Sequence, residues 1–115
     1  MIGPKKIRRV FLAAGITDMR KAINGLSVLV DQAMDLNPLS GDLFVFCNRR
    51  RDIIKILYWD KNGFALWQKR LEEQRFSWPQ SSRDVLSIGS RELEWLLAGL
   101  DFRQAHQRLN YSDIF

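Results

Sequence analysis

From Leu43 to Trp78 short apolar runs separated by tight turns read as the strands of a packed sheet. In residues 43–47, Leu43, Val45 and Cys47 fall on one side, Phe44 and Phe46 on the other. Both sides are apolar, which predicts an interior strand. Residues 53–59 set Ile54, Ile56 and Tyr58 against Ile53, Lys55, Leu57 and Trp59; residues 64–70 set Phe64, Leu66 and Gln68 against Ala65, Trp67 and Lys69. Asn48 to Asp52 predicts the turn between the first two of these strands. Asp60-Lys61-Asn62-Gly63 predicts a hairpin, with Asn-Gly supplying the positive φ angles of a type I′ turn. Arg75 to Trp78 reads as a short edge strand ended by Pro79.

The period changes on either side of this block. Residues 7–13 predict a first strand, whose place in the sheet the pattern leaves open. Gly15-Ile16 breaks it, Thr17 is a good N-cap and Asp18 suits a helix N-terminus. Met19, Ala22, Ile23, Leu26, Leu29, Val30 and Ala33 recur at three and four residues, which predicts an amphipathic helix over 18–34. Asn37 to Gly41 is a loop of strong breakers, and the polar residues 80–89 read as a connection. Ser90 reads as the N-cap of a second helix, 91–98, with Leu93, Leu96 and Leu97 on one face and Gly99 as its stop. The expected fold is therefore α+β: an antiparallel sheet of three to five strands packed against one long N-terminal helix, plus a short C-terminal helix. Residues 1–100 are expected to form a single domain, with Leu100 and Phe102 packing as the chain leaves it. Residues 101–115 form a C-terminal tail that either frays or docks on a partner through Leu109, Tyr111, Ile114 and Phe115.

Composition narrows the chemistry. At 115 residues the chain suffices for one core without disulfides or metals. Its apolar runs are far too short to span a bilayer, and Val10 to Ala14 is too short for a signal-peptide core, so a cytoplasmic protein with no membrane contact is expected. The single cysteine, Cys47, and single histidine, His106, offer no internal disulfide and no Cys/His metal site, and no cofactor is implied.

Charge adds a second signal. The net charge is +5, and the excess is carried by residues 1–79 while residues 80–115 are near neutral. A basic body suits a polyanionic partner. Arg49, Arg50 and Arg51 share a turn and would project together; Lys69 and Arg70 close the last long strand, and Lys55 extends the patch if its ammonium snorkels out from a half-buried face. A two-stranded ribbon fits the major groove of B-DNA, and arginine pairs with guanine or phosphate. Arg20 and Lys21 fall in the first turn of the expected helix, where cations oppose the dipole by about 0.3–1 kcal/mol each. They would either hold a phosphate beside the turn amides or point into water. The basic cluster Lys5, Lys6, Arg8 and Arg9 is a phosphate-binding arm or a solvated terminus.

Catalysis has less support. Strand-transfer nucleases need clustered carboxylates around two metal ions. Asp18, Asp42, Asp60 and Glu72 are the candidates, and helix start, loop and hairpin roles account for the first three. No phosphate loop and no Ser/His/Asp set is present.

Several motifs carry a resemblance. Gly15, Thr17-Asp18-Met19-Arg20-Lys21 and Gly25-Leu26 form one block. Phe46, Arg49-Arg50, Lys55-Ile56-Leu57, Trp59-Asp60, Gly63-Phe64, Lys69-Arg70-Leu71-Glu72, Phe76 and Trp78-Pro79 form a second, and Leu93, Leu96-Leu97 and Gly99 a third. Together they resemble the small second-frame, TnpB-type accessory protein of bacterial insertion sequences of the sixty-six type. Ala22 and Cys47 depart from that pattern. The resemblance implies a non-catalytic accessory protein of DNA transposition that assists a separate transposase of the same element. Joined to the charge pattern, it leads to the expectation that a basic β-hairpin contacts DNA, either element ends or non-specific duplex, with a homo-oligomer as one possible form. The alternative is an assembly factor that binds the transposase without touching DNA.

Overall fold

The structure, a computed structural model, describes residues 8–80 and 85–102. Its centre is a five-stranded sheet in the order β4-β3-β2-β1-β5, formed by β1 (Val10–Ala13), β2 (Leu43–Cys47), β3 (Ile53–Asp60), β4 (Gly63–Arg70) and β5 (Val85–Ile88). β2 pairs with β3, and β3 with β4, as antiparallel neighbours, with Val45 opposite Ile56 and Ile56 opposite Trp67. β1 runs parallel to β2, with Phe11 beside Phe44, and β5 returns antiparallel along the free side of β1.

Each face of the sheet is closed by one helix. The first, α1 (Ile23–Val28), continues into a wider turn over Leu29–Ala33 in which Met34 N–H reaches back five residues to the carbonyl of Leu29 at 2.9 Å. It buries Leu26, Val30 and Met34 against Phe44, Phe46 and Leu57. The second, α2 (Ser90–Leu97), buries Leu93, Leu96 and Leu97 against Val10, Leu12, Val45, Ile54 and Ile56, with Phe76, Trp78 and Phe102 completing that layer. β2 is buried on both faces because it lies between the two layers. Burial of each such side chain contributes roughly 1.5–3 kcal/mol. Gly99 follows α2 at φ +81°, a backbone conformation that favours glycine, whereas a Cβ there would displace only the flexible end of the exposed Gln74 side chain.

Two expectations about the architecture are corrected. The sheet is mixed, because β1 joins β2 in parallel. A parallel neighbour needs a long crossover, and the chain from Ala13 to Leu43, carrying α1, supplies it. There is also no long N-terminal helix: helical structure covers 23–33 and not 18–34. In a helix from Asp18, the carbonyls of Met19 and Lys21 would accept from N–H groups four residues on. They accept instead from Nζ of Lys55, at 2.8 and 2.9 Å. Met19 still packs against the α1 layer, so the apolar spacing runs on through a segment that is not helical.

Smaller differences follow the same logic. Arg75 to Trp78 is not a strand; it crosses the end of the sheet, with Phe76 N–H donating to the Arg51 carbonyl at 2.6 Å and the Trp78 indole to the Gly15 carbonyl at 2.9 Å. The edge strand lies instead at β5, inside the stretch expected to be a connection. The β3–β4 hairpin places positive φ on Lys61, at 57°, and not on Asn62 or Gly63. Phe102 is buried, whereas Leu100 remains exposed. Residues 1–7, with Lys5 and Lys6, and 103–115, with Leu109, Tyr111, Ile114 and Phe115, lie outside the described residues.

Candidate nucleic-acid interface

At one end of the sheet β2 stops, β3 starts and β4 stops, and the connection between β2 and β3 carries three consecutive arginines. Asn48 builds that loop. Its side-chain oxygen accepts from the N–H groups of Asp52 and Ile53, each at 3.1 Å, and its amide nitrogen donates to Asp52 Oδ1 at 2.7 Å. This Asn48 bond, with smaller help from Arg50 and Arg75, holds the Asp52 carboxyl below the usual carboxylate range. Arg51 N–H donates to the Asn48 carbonyl at 3.1 Å, and Arg51 takes the left-handed backbone conformation, φ +59°. The segment after β4 braces the loop from outside, Leu71 N–H donating to the Asp52 carbonyl at 2.8 Å and Phe76 N–H to that of Arg51.

Arg49, Arg50 and Arg51 are all exposed. Arg50 lies 4.0 Å from Asp52, the limit of an ion pair. Among the described residues, Arg49 and Arg51 form no side-chain hydrogen bond or ion pair. Arg70 stands opposite Ile53 at the same end and pairs with Glu72 at 3.1 Å. Arg75, which the pattern reading did not single out, is also exposed here, its guanidinium donating to the Gln74 carbonyl at 3.2 Å. The signal that could have found it is its position directly before Phe76, at the start of the Arg75 to Trp78 pattern.

Arg20 and Lys21 join this end through the loop after β1. Thr17 N–H donates to the carbonyl of Cys47, the last residue of β2, at 2.9 Å. Asp18 follows, and both its carboxylate oxygens hold the Arg20 guanidinium, the shortest contact being 2.7 Å. The guanidinium bond, with the Arg20 backbone N–H, lowers the Asp18 carboxyl to about 2 and in turn raises Arg20. Arg20 and Lys21 precede α1 and so are not first-turn cations.

Lys55 and Lys69 are placed differently. Lys55 is buried, 8% exposed, and its ammonium turns inward onto the Met19 and Lys21 carbonyls instead of snorkelling out. Lys69 points to the opposite face, where Nζ donates to the Leu97 carbonyl at 2.8 Å at the C-terminal end of α2. The sheet therefore brings Arg20, Lys21, Arg49, Arg50, Arg51 and Arg70 to one end, and gives the ammonium groups of Lys55 and Lys69 partners within the fold.

The other end is mixed in charge. A polar hollow of about 140 Å³ there is lined by Arg8, Ser40, Asp42, Trp59, Asp60 and Lys61. Arg8 lies over the Tyr58 ring at 5.0 Å, and Arg9 pairs with Asp42 at 3.2 Å. The four carboxylates weighed as metal ligands are thus divided, Asp18 and Glu72 at the arginine end, Asp42 and Asp60 at this one. No three acidic, histidine or cysteine side chains gather closely enough to hold a metal ion among the described residues. Burial pushes the Cys47 thiol up to about 12, so it is a packed core group.

A family model described as IS66 Orf2 like protein matches residues 8–107, nearly the whole chain. The chain belongs to the IS66 Orf2-like family. It is similar to the uncharacterized protein y4hO of Sinorhizobium fredii (strain NBRC 101917 / NGR234), 38% identical over 99 residues that cover 86% of each chain. It is also similar to the uncharacterized protein y4jC of the same organism, 36% identical over 108 residues, 94% of this chain and 92% of that one. No solved structure matches. Membership makes this IS66 Orf2-like protein a transposition-associated accessory protein and associates it with the IS66 transposase system. No helix among its described residues is long and apolar enough to cross a membrane.

Proposed function

We propose that this IS66 Orf2-like protein is a non-catalytic accessory factor that contacts DNA through the arginine end of its sheet while the transposase of the same element performs the strand chemistry. The observation that carries this reading is the Asn48–Asp52 loop: a hydrogen-bonded frame that holds out Arg49 and Arg51 without an acidic partner among the described residues. Guanidinium groups so presented suit phosphate oxygens or guanine edges, and a loop backbone framed in advance reduces the entropy lost on binding. Arg20, Lys21, Arg50, Arg70 and Arg75 surround them. Those with carboxylate neighbours can exchange that contact for a phosphate, as exposed ion pairs contribute little to stability. Lys55 and Lys69 support the interface from within, Lys55 by holding the loop that bears Arg20 and Lys21.

The test is binding to a random-sequence duplex at several salt concentrations. Affinity should fall steeply with salt, and replacing Arg49, Arg50 and Arg51 together by alanine should weaken binding at least about tenfold and reduce the log–log salt slope by roughly 2–3. Absent or salt-insensitive binding, with capture of purified transposase intact, would favour an assembly factor that does not touch DNA.

A further inference from the structure

Ile16 has the greatest exposure of the large apolar side chains among the described residues, 56%, and it stands at the arginine end of the sheet. Single exposed apolar residues are common on protein surfaces and by themselves mean nothing. This one is distinguished by its mounting. Gly15, buried and at φ +82°, donates its N–H to the Pro79 carbonyl at 2.9 Å, and its own carbonyl accepts from the Trp78 indole at 2.9 Å. On the other side Thr17, also buried, is tied to Cys47 at the end of β2. The backbone on both sides of Ile16 is thus anchored to different parts of the fold, and the side chain between the anchors faces solvent.

The anchors also fix its neighbours. Cys47 leads directly into Asn48 and the arginine loop, the segment 76–79 connects the Arg51 carbonyl to Gly15, and Asp18-Arg20 follows Thr17. An apolar tip held rigidly among cations is poorly suited to an ordinary apolar protein groove, because docking there would desolvate the guanidinium groups. It suits a duplex, in which phosphates take the cations while an aliphatic side chain wedges against or between base steps. We infer that Ile16 is an apolar wedge that unstacks and bends DNA seated on the arginine end. This rests on the DNA-binding reading above and adds to it a residue that deforms the duplex.

The inference is tested with the full chain on a short duplex carrying 2-aminopurine at a central TA step and a fluorophore pair at its ends. The unaltered protein should raise the 2-aminopurine signal and shorten the end-to-end distance. Ile16→Ser should cut both responses at least about twofold and weaken binding severalfold with an unchanged salt slope, whereas Ile16→Leu should keep them. The triple arginine variant should lower the slope instead. An Ile16→Ser protein that bends and unstacks like the unaltered one overturns the inference. So does an unaltered protein that binds without deforming the duplex, and in that case the DNA-binding reading stands. If Ile16→Ser spares the DNA responses and abolishes binding of purified transposase, Ile16 belongs to a protein interface and the wedge is excluded. Failure of the unaltered protein to bind DNA at all overturns both readings.

Discussion

Arg49 and Arg51 stand on the loop between β2 and β3, and Lys55 follows within the same hairpin, yet the fold treats the two kinds of cation in opposite ways. The loop arginines are carried on a frame assembled from Asn48 and Asp52 and have no side-chain partner among the described residues. The Lys55 ammonium is directed into the α1 layer, where it terminates two carbonyls that a helix would otherwise have used. Lys69 repeats this on the opposite face at the end of α2. Equal charge thus has two uses: the Arg49 and Arg51 guanidinium groups are left available, whereas the Lys55 and Lys69 ammonium groups close exposed backbone. The chemistry matches the placement. An ammonium is compact enough to bond two carbonyls in one small space, whereas the planar guanidinium fork presents donors outward.

The largest effect should come from Lys55. Lys55→Met keeps the stem but leaves the Met19 and Lys21 carbonyls without their donor, and should cost about 2–4 kcal/mol in urea unfolding. Arg49→Ala should change stability by no more than about 0.5 kcal/mol in the same measurement. If the two variants are equally stable, the division between structural and available cations fails. Lys69→Met should be intermediate, about 1–2 kcal/mol, with faster amide exchange at the end of α2 than elsewhere, since it loses one charged hydrogen bond at a favourable helix terminus.

The smallest effect concerns pH. Asp18, whose carboxyl is lowered to about 2, stabilises the fold above its ordinary value near 3.8, and that contribution is lost as pH falls toward 2. Unfolding curves taken between those limits should show a pH dependence that is shallower in Asp18→Asn. An unchanged dependence would mean that the Asp18–Arg20 contact is not maintained in solution. The same exchange should leave the Lys55 bonds intact, because they involve backbone carbonyls.

Much of this fold is readable in the order of residues. Short apolar runs bounded by turn residues place β2, β3 and β4 within a residue, and Leu93, Leu96 and Leu97 mark the buried face of α2. The arginine loop is likewise visible as three consecutive cations between two strands. Asn48 and Asp52 are visible as turn residues, but their mutual bond is not. Arg75 and Ile16 pass unnoticed because their meaning depends on what lies beside them. β5 is hidden because it is short and only Leu86 and Ile88 turn toward the core.

Sequence by itself determined β2, β3 and β4, the apolar faces, the basic character and the family, because each follows from local spacing or from which residue types are present. Tertiary structure alone decided the parallel entry of β1, the late start of α1 and the fate of each cation. A parallel pair is made by a distant crossover and leaves no mark in local periodicity. Where a helix is expected from Asp18, the Met19 and Lys21 carbonyls accept instead from the ammonium of Lys55, far along the chain. Whether a lysine is surface charge or internal hydrogen-bond donor depends on what the fold brings over it, and only the folded chain supplies that neighbour.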